Sequence, residues 1–419
     1  MSTTETTPRP HLNPRVESLR PSATLAINEK CARLKAEGRR IYQLGFGQSP
    51  FPVPESVVEA LKANAFRKHY LPVKGLPELR HAVANFHRRR DEIDATADNI
   101  LIGPGSKELI FLLQLTYDAD VLIPSPSWVS YEPQARLLGR RVFWLQTEKE
   151  NGWRLSPEEL ERVCREDPSR PRLLILNYPS NPTGLTYRAS ELEDLARVAR
   201  EYEILILSDE IYGELHHSGS HASMARYYAE GTIVSSGLSK WCGAGGWRLG
   251  TFCFPSALQW LLDAMANVAS ETYTSVSAPI QYAAVTAFQG NAEIERYLTQ
   301  TRRILRSLGR LVSGRLHVLP PEGGFYLFPD FGSHPTIKSS PEFCDRLLSD
   351  TGVAMLPGSD FGRPSTELTC RLAYVDFDGG RCLEAAEGIA IDHELSEEFL
   401  TKHCSNVIEA IDLVTRWAC

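Results

Sequence analysis

Short apolar runs punctuate the middle of the chain at Val121–Pro124, Val142–Leu145, Leu173–Leu176, Ile204–Leu207, Thr232–Ser235 and Thr251–Phe254. Longer stretches with helical periodicity separate them. Uninterrupted apolar strands between helices indicate a parallel or mostly parallel sheet covered on both faces. Helices are predicted at 75–90, 106–116, 156–165 and 189–201. In the last, Ser190 reads as the cap, and Leu192, Leu195, Ala196 and Ala199 share one face. From about residue 295 the pattern changes to one long helix, followed by short strands around 315–330 and 369–375. The predicted fold class is therefore α/β. A large domain (56–300) has a mostly parallel central sheet flanked by helices. A smaller α+β domain combines the C-terminal part (301–419) with the N-terminal segment (15–55), and residues 1–14 are read as a disordered N-terminus.

Composition adds limits. The 419 residues are 42% hydrophobic and 23% charged, ordinary for a globular enzyme of this size, and the net charge of −7 gives no footing for nucleic acid or an anionic membrane. No apolar run approaches the roughly 20 residues of a membrane span. The nine cysteines are scattered without a CxxC pair, which reads as free thiols in a reducing compartment. The Thr/Pro-rich start lacks the apolar core of a signal peptide. A cytoplasmic protein is expected, with no metal site.

The chemistry concentrates after the apolar runs, where open α/β sheets bind ligands. Residues 235–250 read S-S-G-L-S-K-W-C-G-A-G-G-W-R-L-G. A lysine that forms a Schiff base needs small neighbours, and Lys240 has them; Arg248 can hold a phosphate. Together they point to pyridoxal phosphate. Asp209, in L-S-D-E-I-Y, ends an apolar run. An unpaired buried carboxylate there is costly, but one facing a pyridinium nitrogen is not. Gly103, Gly105 and Ser106, in L-I-G-P-G-S-K-E-L, bend the chain into a helix whose first amides can bind phosphate. A surface lysine in a glycine loop and an ordinary strand–helix turn would use the same residues.

Asp209, Tyr212 and Lys240 match a known constellation in order and spacing. With N-Y-P-S-N-P-T-G (177–184) and T-C-R-L-A-Y (369–374), the chain from about 40 to about 378 resembles the fold-type I pyridoxal-phosphate enzymes, in particular the class I/II aminotransferases related to aspartate aminotransferase. The resemblance implies a catalytic set of Lys240, Asp209 and Tyr212. It implies a cofactor site of Gly105, Ser106, Lys107, Trp128 stacked on the ring, Asn181 on the ring hydroxyl oxygen, Ser239 and Arg248. The family often has a serine three before the lysine, where this chain has Gly237. Arg371 resembles the arginine that grips the substrate α-carboxylate, and Gly47 the glycine whose backbone lines the substrate pocket. Tyr70 resembles the tyrosine that reaches a neighbouring subunit's phosphate, which implies a homodimer with shared active sites. A core tryptophan, a turn asparagine and a structural ion pair are the plain alternatives for Trp128, Asn181 and Arg371.

The implied activity is transfer of an amino group between an L-amino acid and a 2-oxo acid. The same cofactor grip also supports elimination, replacement or oxidation of an amino acid, including S-adenosylmethionine, and in some members no catalysis at all. Lys240, Asp209 and Arg371 are all present, which argues against a silent domain. Glu271 falls about where the aspartate enzymes carry a second arginine. A carboxylate there favours a basic or neutral amino acid, unless it is a solvated helix-end glutamate. Residues 379–400 carry no readable role.

Overall fold

The structure of the protein, a computed structural model, describes residues 11–418 other than 18, 20 and 333. The first ten residues of the expected disordered stretch lie outside these, and Pro14 already opens a short helix, Pro14–Glu17. Seven strands form the main sheet, in the order Ile100–Gly103, Gly250–Cys253, Thr232–Gly237, Leu205–Asp209, Arg172–Asn177, Asp120–Pro124, Val142–Leu145. Only Gly250–Cys253 runs antiparallel to its neighbours. The unbroken apolar runs are explained by burial on both faces. Leu173, Ile175, Leu205 and Leu207 pack into one core, while Leu174, Leu176 and Ile206 alternate into another.

The predicted helices are found at Pro77–Asp91, Ser106–Thr116, Pro157–Arg165 and Ala189–Glu201. Ser190 is not the cap of the last. That helix begins at Ala189, and the Glu191 carboxylate accepts the Arg188 amide at 2.7 Å, so the acid three residues on does the capping. The long helix is Ala292–Leu316 and crosses residue 300 without a break. Two small sheets complete the fold. Tyr42–Gln43 pairs in parallel with Val353–Ala354, and Leu356–Pro357, Cys370–Ala373 and Tyr326–Leu327 form an antiparallel trio. Residues 379–400, unreadable in sequence, contain the helix Gly379–Glu387 and pack against the long helix, where the Arg303 guanidinium donates to the carbonyls of Ala386 and Ala390. Among the described residues no helix is long and apolar enough to cross a membrane.

Sheet register positions the site. Asn177, Asp209 and Ser235 are direct partners on three adjacent parallel strands, so their side-chain positions converge at the carboxyl edge. Gly237, two residues beyond Ser235, lies opposite Gly250 on the next strand, and Gly250 opposite Gly103 on the one after. A Cβ on Gly250 would strike the backbone of Gly105 and Ser106. Glycine there lets the loop before Ser106–Thr116 close down onto the sheet.

Candidate active site

A cavity of about 460 Å³ opens at this edge, between the main sheet and the small antiparallel trio. It brings together Ser106, Lys107, Trp128, Asn181, Asp209, Tyr212, Ser239, Lys240, Arg248, Gly47 and Arg371. These come from segments as far apart as residues 47 and 371.

Asp209 lies on its floor and is 3% exposed. The Tyr131 hydroxyl donates to its Oδ2 at 2.6 Å, while Oδ1 has no partner. Burial pushes its carboxyl up to about 6. An orphaned acceptor of this kind is costly unless a donor completes it. Lys240 extends its Nζ to the Gly47 carbonyl at 2.8 Å, with the rings of Tyr212 and Phe325 at 5.6 and 5.9 Å. The Tyr212 hydroxyl meets that of Tyr326 at 2.9 Å. Its phenol is held well above the ordinary range by burial and then by Tyr326.

The opposite end is built for an anion. Arg248 sits at φ 55 and hydrogen-bonds only neutral groups: the Gly245 carbonyl at 2.9 Å and, at 3.5 Å, the Ser239 hydroxyl and the Pro104 carbonyl. Gly105, at φ +89, precedes the helix Ser106–Thr116, and a Cβ on it would collide with the Arg248 guanidinium. Arginine and helix N-terminus thus converge with no carboxylate bonded to either. Lys107 lies over the Trp128 ring at 5.2 Å, and burial, then Arg248, lowers the pKa of its amine.

Arg371 is 1% exposed. Its guanidinium donates to Asn181 Oδ1 at 3.2 Å and to the Gly45 carbonyl, stacks on Tyr326 and Phe361, and leaves Nε unpartnered. Among the described residues no carboxylate forms an ion pair with it, so the structural ion pair weighed from sequence is absent. Asn181 is aimed by the turn through Pro182 and Gly184 (φ +73), and its amide nitrogen donates to Asn177 Oδ1 at 2.8 Å.

Two expected residues lie elsewhere on this chain. Tyr70 is 89% exposed. Glu271 is the exposed last residue of the helix Gln259–Glu271, does not line the cavity, and accepts from the Ser270 hydroxyl at 3.2 Å. On this chain it occupies a solvated helix end. Sequence reasoning missed Tyr131, Tyr326 and Thr24. Tyr131 stands three residues after Trp128 in the same motif and packs edge-on to it at 5.1 Å. Tyr326 follows the Gly323-Gly324 pair, and Thr24 lines the cavity from the helix Ala23–Ala36.

A sheet edge with a half-buried lysine, an aspartate with one bare oxygen and an arginine bonded only to neutral groups among the described residues could hold a phosphorylated cofactor with a ring nitrogen. The chain matches the family Aminotransferase class I and II over residues 39–379 and belongs to it. It is 34% identical over 378 residues to aspartate aminotransferase of Bacillus subtilis, covering 86% of this chain and 93% of that one. Asparagine–oxo-acid transaminase of Streptococcus mutans is 32% identical over 380 residues, covering 87% and 94%. The solved structure of aspartate aminotransferase from Thermus thermophilus with maleate superimposes with a TM-score of 0.83 at 31% identity, over 97% of this chain and 100% of that one. The protein is a pyridoxal-phosphate-dependent aminotransferase, and elimination, replacement or oxidation is not favoured.

Proposed function

We propose that the cavity holds pyridoxal phosphate and transfers the amino group of a dicarboxylic L-amino acid of the aspartate type to a 2-oxo acid. Five groups support the cofactor reading: the orphaned Asp209 Oδ1 for the ring nitrogen, Arg248 and the Gly105–Ser106 amides for the phosphate, Trp128 for the ring face and Lys240 for the aldehyde. When bound, the cofactor supplies an electron sink that stabilises negative charge at the substrate α-carbon. The chain's own groups do the rest. Asp209 keeps the ring nitrogen protonated. Asn181 and Tyr212 face the ring oxygen, with Asn181 bracing Arg371 at the same time. Arg371 takes the α-carboxylate and fixes which bond at the α-carbon lies across the ring. The Lys240 amine, when not engaged with the cofactor, would be the group that accepts and returns the substrate α-proton.

Lys107 carries the substrate reading. With Arg248 assigned to phosphate, Arg371 to the α-carboxylate and Lys240 to the aldehyde, it is the remaining cation lining the cavity. It has no ion pair among the described residues. A second substrate carboxylate would supply one, and the relatives named aspartate aminotransferases point the same way. Lys107→Ala should raise KM for L-aspartate about 10- to 100-fold, the worth of one charged hydrogen bond, and leave L-alanine nearly unchanged. Equal losses for both, or wild-type preference for neutral or basic amino acids, would remove Lys107 from this role.

The two-domain division at 55/56 and 300/301 and the homodimer belong to the same proposal. Tyr70 and Phe66, 89% and 71% exposed, are large aromatics that solvent does not favour, and a second copy would cover them. A cytoplasmic location fits the eight described cysteines, all buried free thiols.

A further inference from the structure

Tyr326, which the sequence did not single out, touches three groups of the site. Its hydroxyl meets Tyr212 at 2.9 Å and points to the Gly47 carbonyl at 3.4 Å, and its ring lies 4.9 Å under the Arg371 guanidinium. Gly47 is shaped around it, since a Cβ at 47 would overlap the Tyr326 hydroxyl. The same carbonyl accepts the Lys240 amine at 2.8 Å. One acceptor therefore serves two donors of unequal strength. The lysine holds the short bond, as a charged donor should, and Tyr326 is left with a long one. Tyr326 is 1% exposed, and its hydroxyl can accept from Tyr212 while it donates to the Gly47 carbonyl.

We propose that Tyr326 is a positioning residue whose hydroxyl changes partner with the state of Lys240. While the Lys240 amine occupies Gly47, the Tyr212 hydroxyl donates to that of Tyr326. When Lys240 leaves that carbonyl for the cofactor aldehyde, Tyr326 tightens onto Gly47, and the Tyr212 hydroxyl is released to donate to the ring oxygen. Condensation of the Lys240 amine with the aldehyde would release one water; the response of Tyr326 and Tyr212 changes hydrogen bonds only. The exchange tells the ring end of the site whether the lysine is engaged. It rests on the reading of Lys240 as the cofactor-bearing amine.

The test uses the protein labelled with tyrosine carrying carbon-13 at Cζ, with the Tyr326 signal assigned by its loss in Tyr326→Phe. Adding pyridoxal phosphate to the wild type should shift the Tyr326 signal. The cofactor-free Lys240→Ala protein, whose Gly47 carbonyl is already free, should show the shifted position before any cofactor is added. An unmoved Tyr326 signal in cofactor-free Lys240→Ala overturns the exchange. In cofactor-free Tyr326→Phe, Tyr212 should titrate at lower pH than in wild type, and an unchanged titration also counts against it. With cofactor, Tyr326→Phe should lose about three- to tenfold in kcat, one neutral hydrogen bond, with KM nearly constant because Arg371 keeps Asn181 and Gly45. A change in KM alone would make Tyr326 a support for Arg371 and refute the exchange. The Lys240 reading is tested separately: cofactor absorbance surviving unchanged in Lys240→Ala would refute that reading whatever Tyr326 does.

Discussion

Asp209 and Glu210 are adjacent in the chain, both buried, and opposite in every other respect. Glu210 faces away from the cavity into a network that satisfies it. Its carboxylate meets Arg90 Nη2 at 3.1 Å, His221 Nε2 at 2.8 Å and the hydroxyls of Ser208 and Ser223 at 2.8 and 2.6 Å. Arg90 in turn holds Asp91, which also bonds His87. Asp209 has one protein donor to its side chain, Tyr131, and one bare oxygen. The strand's alternation sends the two acids to opposite sides. Burial with full compensation reads as architecture, while burial with one partner withheld reads as a place kept for a ligand.

The contrast predicts different losses. Asp209→Asn should keep the fold and cost about 10²- to 10³-fold in kcat/KM, the scale of removing a preorganised electrostatic partner. Steady-state kinetics with saturating cofactor checks this, and a loss below about tenfold would mean that Asp209 does not serve the ring nitrogen. Glu210→Gln should instead cost about 1–3 kcal/mol of stability, because its amide NH2 would face the Arg90 and His221 donors in the interior and leave them without an acceptor. Its kcat below the unfolding transition should stay near wild type. Urea unfolding and kinetics on one preparation would reveal the reverse pattern if the two acids had exchanged roles.

The pH dependence sharpens the comparison. The folded-state value of Asp209, about 6, lies above the ordinary aspartate value of 3.8, so the native cofactor-free protein binds the proton more tightly than the unfolded chain. Above pH 6 the full cost of the buried charge is present. It declines as pH falls from about 6 and is gone below about 4. Asp209→Asn, which cannot ionise, should therefore stabilise the cofactor-free protein by up to about 3 kcal/mol at pH 8 and by nothing near pH 4. A variant that destabilises at pH 8 would show that Asp209 is paired within the protein after all. The smallest effect belongs to Tyr131→Phe, which removes the 2.6 Å hydroxyl donor to Asp209 and should lower kcat about three- to tenfold. An unaltered kcat would show that Asp209 needs no help to hold its orientation.

The same contrast explains what could be read from sequence. The runs ending in Asn177 and Asp209 were legible because strands buried on both faces must be continuously apolar, and a polar residue at their carboxyl end stands out. Lys240 and Arg248 were legible because small residues surround them. Tyr326 and Tyr131 were not, because an aromatic beside apolar neighbours looks like core until its hydroxyl partner is known. That partner is 114 residues away for Tyr326 and 78 for Tyr131. The helices outside the sheet alternation, such as Glu55–Asn64 and Ala278–Gln289, pack on each other and carry no strand–helix rhythm to announce them.

The most direct test is to reconstitute the protein with pyridoxal phosphate, record its absorption near the visible edge, and titrate with L-aspartate in the absence of any 2-oxo acid. The account predicts that the absorption is lost stoichiometrically, that one equivalent of the corresponding 2-oxo acid appears per site, and that Lys240→Ala abolishes the conversion. Catalytic release of ammonia without a 2-oxo acceptor, or unchanged conversion in Lys240→Ala, would contradict it.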